Sequence, residues 1–196
     1  MTQGDLREFM PTEDEIRARV HLDSNPDTPV ARVAEMQGLC AFVRKLEARH
    51  AIETGSFTGS FAQAMVLAGA QVFSIDNYQH PPTRQRGPGI FIKTQELWDQ
   101  VMFIHGDGCR KLPGVRALIP LGSRWVFFHD SDHSYPHVLK ELRLAVELGA
   151  VGVACHDLEH SVDLGTKAAW DYFLEESGWQ GVTAGNIGFA TPREEL

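Results

Sequence analysis

Cysteine is scarce in this chain, with three among 196 residues: Cys40, Cys109 and Cys155, far apart and without metal-ligand spacing. That excludes a disulfide framework and a cysteine-built zinc site, and it fits a reduced, cytoplasmic chain. Long apolar runs are missing too. None approaches the roughly 18–20 residues that span a bilayer, so no membrane partner is expected. Residues 1–15 are acidic and polar, unlike a secretory signal. Positive charge is short as well: 18 Lys and Arg face 26 Asp and Glu, a net charge of −8. Phosphate backbones need a Lys/Arg surplus, so no nucleic-acid partner is expected. There is no repeat of fixed period, no low-complexity tract and no full G-x-G-x-x-G fingerprint.

What remains is a chain with 43% hydrophobic and 22% charged residues, of a length that suits one globular core. Residues 1–49 read as a helical extension. Thr12 followed by Glu13, Asp14 and Glu15 is a helix start, with acids facing the positive end of the dipole. Residues 24–29 are a turn cluster. An amphipathic helix follows over 30–49, with Val33, Met36, Leu39, Cys40, Phe42, Val43 and Leu46 at spacings of mostly three and four.

From His50 the pattern changes, and residues 50–196 read as one α/β domain. Strands are predicted at 50–54, 71–76, 101–107, 124–130 and 150–157. Helices are predicted at 61–70, 135–148 and 166–176, and two short strands flank Gly185-Asn186. Such alternation predicts a doubly wound, Rossmann-like and mostly parallel sheet closed by an antiparallel hairpin. Ligands of these sheets sit at the carboxyl ends of the strands.

The strand ends carry the chemistry. After the first comes Glu53, then a turn with Gly55, Ser56, Phe57 and Gly59 entering a helix, where backbone can approach a ligand. The second ends in Asp76-Asn77. An acid about 20 residues past a glycine turn suits a ribose diol. The third ends in His105-Gly106-Asp107-Gly108, where the glycines leave room for a flat ring and Asp107 can accept from an exocyclic amine. The fourth ends in His129-Asp130-Ser131-Asp132-His133 and the fifth in Cys155-His156-Asp157, with Glu159 and His160 behind. Two neighbouring strand ends thus offer carboxylates and imidazoles to one crevice. Oxygen ligands there suit a hard cation, mixed ligands a borderline one.

At these residues the chain resembles the class I S-adenosylmethionine-dependent methyltransferases. It is most similar to the small O-methyltransferases of the catechol and caffeoyl-CoA type and to bacterial relatives acting on sugars of natural products. Glu53, Gly55, Phe57 and Gly59 match the acid and G-x-[aromatic]-x-G of that branch. Asp130-Ser131-Asp132-His133-Ser134-Tyr135 resembles its D-G-D-H-S-Y phrase, His156-Asp157 its fifth-strand end, and Gly165-Thr166-Lys167-Ala168-Ala169 a following G-[VT]-K-x-A. The resemblance runs from about residue 30 onward. Leu148-Gly149-Ala150-Val151 replaces the usual Lys-Pro-Gly-Gly, and His156 stands where a third oxygen ligand is expected.

The resemblance implies methyl transfer to a hydroxyl of a small-molecule acceptor. It implies a cofactor site of Glu53, Gly55, Ser56, Gly59, Asp76, Asn77, Gly106, Asp107 and Asp130. It also implies a divalent metal, Mg or Mn, on Asp130, His156 and Asp157, and catalysis by Asp130 with His133 as general base. His137, one turn later, reads as a surface histidine. The basic stretch 77–100, with Arg84 and Arg86, reads as a solvated loop that helps shape the acceptor pocket. Three other readings stay open: an inactive S-adenosylmethionine-binding protein, an oxygenase using His105-Gly106-Asp107, and a metal-dependent hydrolase built on the His-Asp pairs. A homo-oligomer stays open too.

Overall fold

The strand–helix alternation after His50 builds a seven-stranded sheet. The computed structural model describes residues 3–20, 29–79, 95–159 and 165–193. Its strands are β1 (His50–Thr54), β2 (Gln71–Asp76), β3 (Val101–His105), β4 (Trp125–His129), β5 (Gly152–Cys155), β6 (Gln180–Ala184) and β7 (Ile187–Thr191), in the order β3-β2-β1-β4-β5-β7-β6. The first five are parallel, and β7 pairs antiparallel with both β5 and β6. The chain leaves β1 toward β2 and β3, then returns to place β4 on the other side of β1. That reversal opens a crevice at the carboxyl ends of β1 and β4.

Eight helices are described: α1 (Gln3–Arg7), α2 (Glu13–Arg19), α3 (Pro29–Lys45), α4 (Ser60–Leu67), α5 (Gln95–Asp99), α6 (Gly108–Arg116), α7 (Tyr135–Glu147) and α8 (Thr166–Ser177). Thr12 caps α2 as expected, its hydroxyl accepting from Glu15 N at 3.2 Å. The α3 helix stops at Lys45 rather than 49. Glu47 takes φ +49° there, and Ala48 N donates to Val43 O at 3.1 Å, turning the chain into β1.

Side chains alternate along the strands and fill both faces. On one face Val126 and Phe128 meet α3 and α4 through Met36, Leu39, Phe42 and Phe61, joined by Leu6 and Ile16 of the first two helices. On the other, Trp125 and Phe127 meet α6, α7 and α8 through Leu112, Val138, Leu142, Trp170 and Phe173. Each such burial stabilises by about 1.5–3 kcal/mol before chain entropy is counted.

Two helices were not expected. The α5 helix falls inside the stretch read as a loop. The α6 helix contains Pro113, which as a helix breaker hides the Leu112–Val115–Ile119 spacing that buries it. Residues 21–28, 80–94 and 160–164 lie outside the described residues. So do the turn cluster up to Thr28, most of the basic stretch with Arg84 and Arg86, and His160.

Candidate active site

Gly55 explains why the turn after β1 is glycine-bearing. It has φ +86°, and a Cβ there would stand 2.0 Å from Asp130 O. Gly55 N donates to Ile75 O and Asp130 N to Thr54 O, each at 2.8 Å, so three strand ends are tied together. Gly59, also at φ +86°, opens α4. Asp76 braces the turn: its Oδ2 accepts from Ser56 Oγ at 3.2 Å and Phe57 N at 3.1 Å, and its Oδ1 accepts from Tyr78 N.

These strand ends surround a cavity of about 530 Å³. Of the expected site residues, Gly55, Asp76, Asn77, Gly106, Asp107, Asp130, His133, His156 and Asp157 line it. Glu53, Ser56 and Gly59 do not. Glu53 lies beneath the turn rather than at the cavity wall. It is fully buried, its carboxylate takes the Ser74 hydroxyl, and burial pushes it up to about 8. It stiffens the strand pair under the turn. Ser56 is turned to Asp76, and Gly59 serves the helix start. Asp107 caps α6, accepting from Arg110 N at 3.0 Å.

The densest chemistry lies where β4 and β5 end. His156 Nδ1 is 3.1 Å from Asp130 Oδ1 and 3.2 Å from Asp157 Oδ1. His133 Nε2 is 3.1 Å from Asp157 Oδ2 and 3.6 Å from Asp130 Oδ1. Contacts with Asp130 and then Asp157 raise His133 to about 9. Burial opposes charge on His156, yet the Asp130 charge and the surrounding carboxylate contacts raise it well above the usual histidine range. Burial likewise pushes Asp130 and Asp157 up, but the two histidines outweigh it and hold both below their ordinary values.

The ligand atoms of Asp130, His156 and Asp157 lie within 4.8 Å of one another. The two spacings to His156 Nδ1 are near the roughly 3 Å edge of an octahedron with ligands at about 2.1 Å. They are equally those of hydrogen bonds from a charged imidazole. The residues therefore fit a divalent ion. The His105–Asp107 pair does not. His105 stacks on Tyr78 at 5.0 Å while Asp107 caps its helix, so the oxygenase arrangement is not formed.

No protein-family model and no curated protein matches the chain, but solved structures do. The O-methyltransferase of Bacillus cereus in complex with S-adenosylhomocysteine superposes with a TM-score of 0.63 at 12% identity, covering 92% of each chain. CalS11, a TDP-rhamnose 3′-O-methyltransferase of calicheamicin biosynthesis, gives 0.61 at 14%, covering 95% of this chain and 98% of its own. TomG of Streptomyces achromogenes, in complex with S-adenosylmethionine, gives 0.60 at 16%, with 97% and 96% covered. The fold is a methyltransferase fold. In that fold the described cavity occupies the crevice where the strand order reverses, and every lining residue named above ends or follows a strand of the parallel half.

Four residues escaped the sequence reading. His137 is not a surface residue: it lines the cavity, and its Nε2 is 3.0 Å from Glu141 Oε1. Glu141 is fully buried and also contacts Thr54 Oγ1 at 2.6 Å and His129 Nδ1 at 2.7 Å. Its signal was available, since 138, 141, 142 and 145 form an apolar helix face interrupted by one acid. Glu35 interrupts the 35, 39, 42, 46 stripe of α3 in the same way. Asn186, in the hairpin turn, donates through Nδ2 to Asp157 Oδ1 at 2.8 Å, a contact no local pattern foretells.

Proposed function

We propose that this chain transfers a methyl group from S-adenosylmethionine to a hydroxyl of a small molecule. One observation carries the reading: a single cavity joins the Gly55 turn, Asp76 and the Asp130–His133–His156–Asp157 cluster. When bound, S-adenosylmethionine supplies an electrophilic methyl on a sulfonium. The Gly55 backbone takes the methionine part, with Glu53, Ser56 and Gly59 supporting the turn. Asp76 and Asn77 take the ribose; after three donors, the Asp76 carboxylate keeps about one lone pair, on Oδ1, for a hydroxyl. Gly106 and Asp107 take the adenine side.

His133 is the general base. With Nε2–H donating to Asp157, its Nδ1 receives the acceptor proton as the new C–O bond forms and the S–C bond breaks, leaving S-adenosylhomocysteine and a methyl ether. Asp130 and Asp157 orient its ring and balance the charge it gains. Holding the acceptor oxygen in line with the methyl supplies much of the remaining acceleration. A divalent ion held by Asp130, His156 and Asp157 would lower the acceptor pKa and orient it. One imidazole in that set favours manganese, iron, cobalt or zinc over magnesium.

The distances around His156 Nδ1 also favour a second reading, in which a charged imidazole stands in for the ion. Calorimetry with S-adenosylhomocysteine, followed by an acceptor screen read out by its release, tests the whole. No binding of S-adenosylmethionine or S-adenosylhomocysteine sinks the transferase reading. Turnover that survives excess chelator, with no metal in elemental analysis, selects the second reading over the first.

A further inference from the structure

The cluster is held from behind by two segments far apart in sequence. The Nε2 atom of His156, opposite the nitrogen that faces Asp130 and Asp157, lies 3.5 Å from Glu35 Oε2 on α3, an ion-pair contact between two buried atoms that is longer than a hydrogen bond. Both side chains are 6% exposed. The His156 ring packs on Phe61 with centroids 4.8 Å apart and on Phe128 at 6.4 Å. Such packing fixes the plane of an imidazole but not which edge faces which way. A half-turn about the ring axis would exchange both nitrogens for carbons while leaving the packing intact. Polar contacts at the two edges make the choice.

Glu35 is itself placed by the β6–β7 turn. Asn186 N donates to Glu35 Oε1 at 3.4 Å. Gly185 takes φ +59°, and a Cβ there would lie 2.9 Å from Glu35 Cγ, so a side chain in the turn would displace the acid. Asn186 also reaches forward: its Nδ2 donates to Asp157 Oδ1, and its Oδ1 accepts from Glu159 N. One turn therefore braces the neighbours of both His156 and Asp157. Histidines that ligate metals donate their second N–H to a carboxylate or carbonyl, which sets the ring and raises its basicity. A carboxylate buried on an apolar face, far from solvent, is costly to keep without such a role.

We propose that Glu35 is a positioning residue that holds His156 through Nε2 and thereby presents Nδ1 to a divalent ion between Asp130 and Asp157. This rests on the metal-assisted form of the reading above. The metal-free protein is titrated with Mn²⁺, and free Mn²⁺ is followed by electron paramagnetic resonance. S-adenosylhomocysteine affinity is measured on the same samples. Glu35→Ala is expected to weaken Mn²⁺ binding about 10–100-fold. Glu35→Gln, which keeps an acceptor, recovers much of that loss, and S-adenosylhomocysteine affinity stays within about twofold in both. Equal Mn²⁺ affinity in Glu35→Ala and the wild type overturns the proposal. Should Glu35→Ala not fold, Glu35→Met, of similar length but without the acceptor, decides: about tenfold weaker Mn²⁺ binding supports it, unchanged binding overturns it. A wild type that binds S-adenosylhomocysteine but no Mn²⁺ overturns it together with the metal-assisted form, while methyl transfer itself stands.

Discussion

His129 and Asp130 are neighbours at the end of β4, yet they anchor two different histidine–carboxylate networks. His129 faces α7, where Glu141 is met by Thr54, His129, His137 and Ser131 and is wholly buried. Burial works against its charge, but the bonds from His129 and His137 outweigh that and bring it down to about 2. Asp130 faces the cavity, where its carboxylate and that of Asp157 stay 16% and 25% exposed beside His133 and His156. The residue types are the same. What differs is exposure: the first network closes its acid behind donors, whereas the second leaves both carboxylates partly open to the cavity. Closure makes a brace, and exposure makes a place for chemistry.

The sharpest way to break this contrast is to remove one histidine from the open network. His133→Ala is expected to lower turnover roughly 10²–10⁴-fold while S-adenosylhomocysteine affinity holds. Near-normal turnover on the true acceptor would take the base role away from it. The closed network should respond in stability instead. Glu141→Ala strands His129 and Thr54 without their acceptor and is expected to cost about 3–5 kcal/mol in urea unfolding. A loss under 1 kcal/mol would mean that the brace does not brace.

A smaller effect is expected at the other end of the cavity. Asp76→Ala should weaken S-adenosylhomocysteine binding by about 1.5–3 kcal/mol, as for lost hydrogen bonds to a charged group. Calorimetry showing unchanged affinity would put the ribose elsewhere.

The mildest test is pH. Without added metal, the folded pKa of His133, about 9, lies above its ordinary 6.5. Its stabilising contribution is full below 6.5 and is lost as pH rises through 9. Asp157 lies below its ordinary 3.8, so its contribution is present above that value and is lost on acidification. Chelated protein should be most stable between those limits, and His133→Asn should flatten the alkaline side of unfolding curves taken across pH. Turnover should move oppositely, rising with pH as His133 becomes neutral.

The open network was far more legible in the sequence than the closed one. Asp130, His133, His156 and Asp157 lie at or just past the ends of predicted strands, and parallel strands deliver their ends to one crevice whatever fills the loops. Gly55 and Gly59 were legible because a close approach and a left-handed backbone both ask for glycine. Glu53 was read as a ligand-facing acid because strand position alone does not say whether a side chain points into the crevice or under it. His137 and Glu141 were passed over because each is ordinary alone, and only helix geometry joins them at i, i+4 across from Thr54. Pro113 hid α6 by supplying a breaker inside an otherwise adequate apolar spacing.

The bond between Asn186 and Glu35 spans 151 residues of chain. Contacts of such separation form late, because a long loop must close before they return any free energy. The cofactor end of the cavity beside Gly55 uses nearer neighbours, at the ends of β1, β2, β3 and β4. The His156–Asp157 corner has its braces only with the final hairpin docked on α3. In refolding experiments, cofactor binding should therefore return before turnover does, and the interval between them measures the docking of β6 and β7.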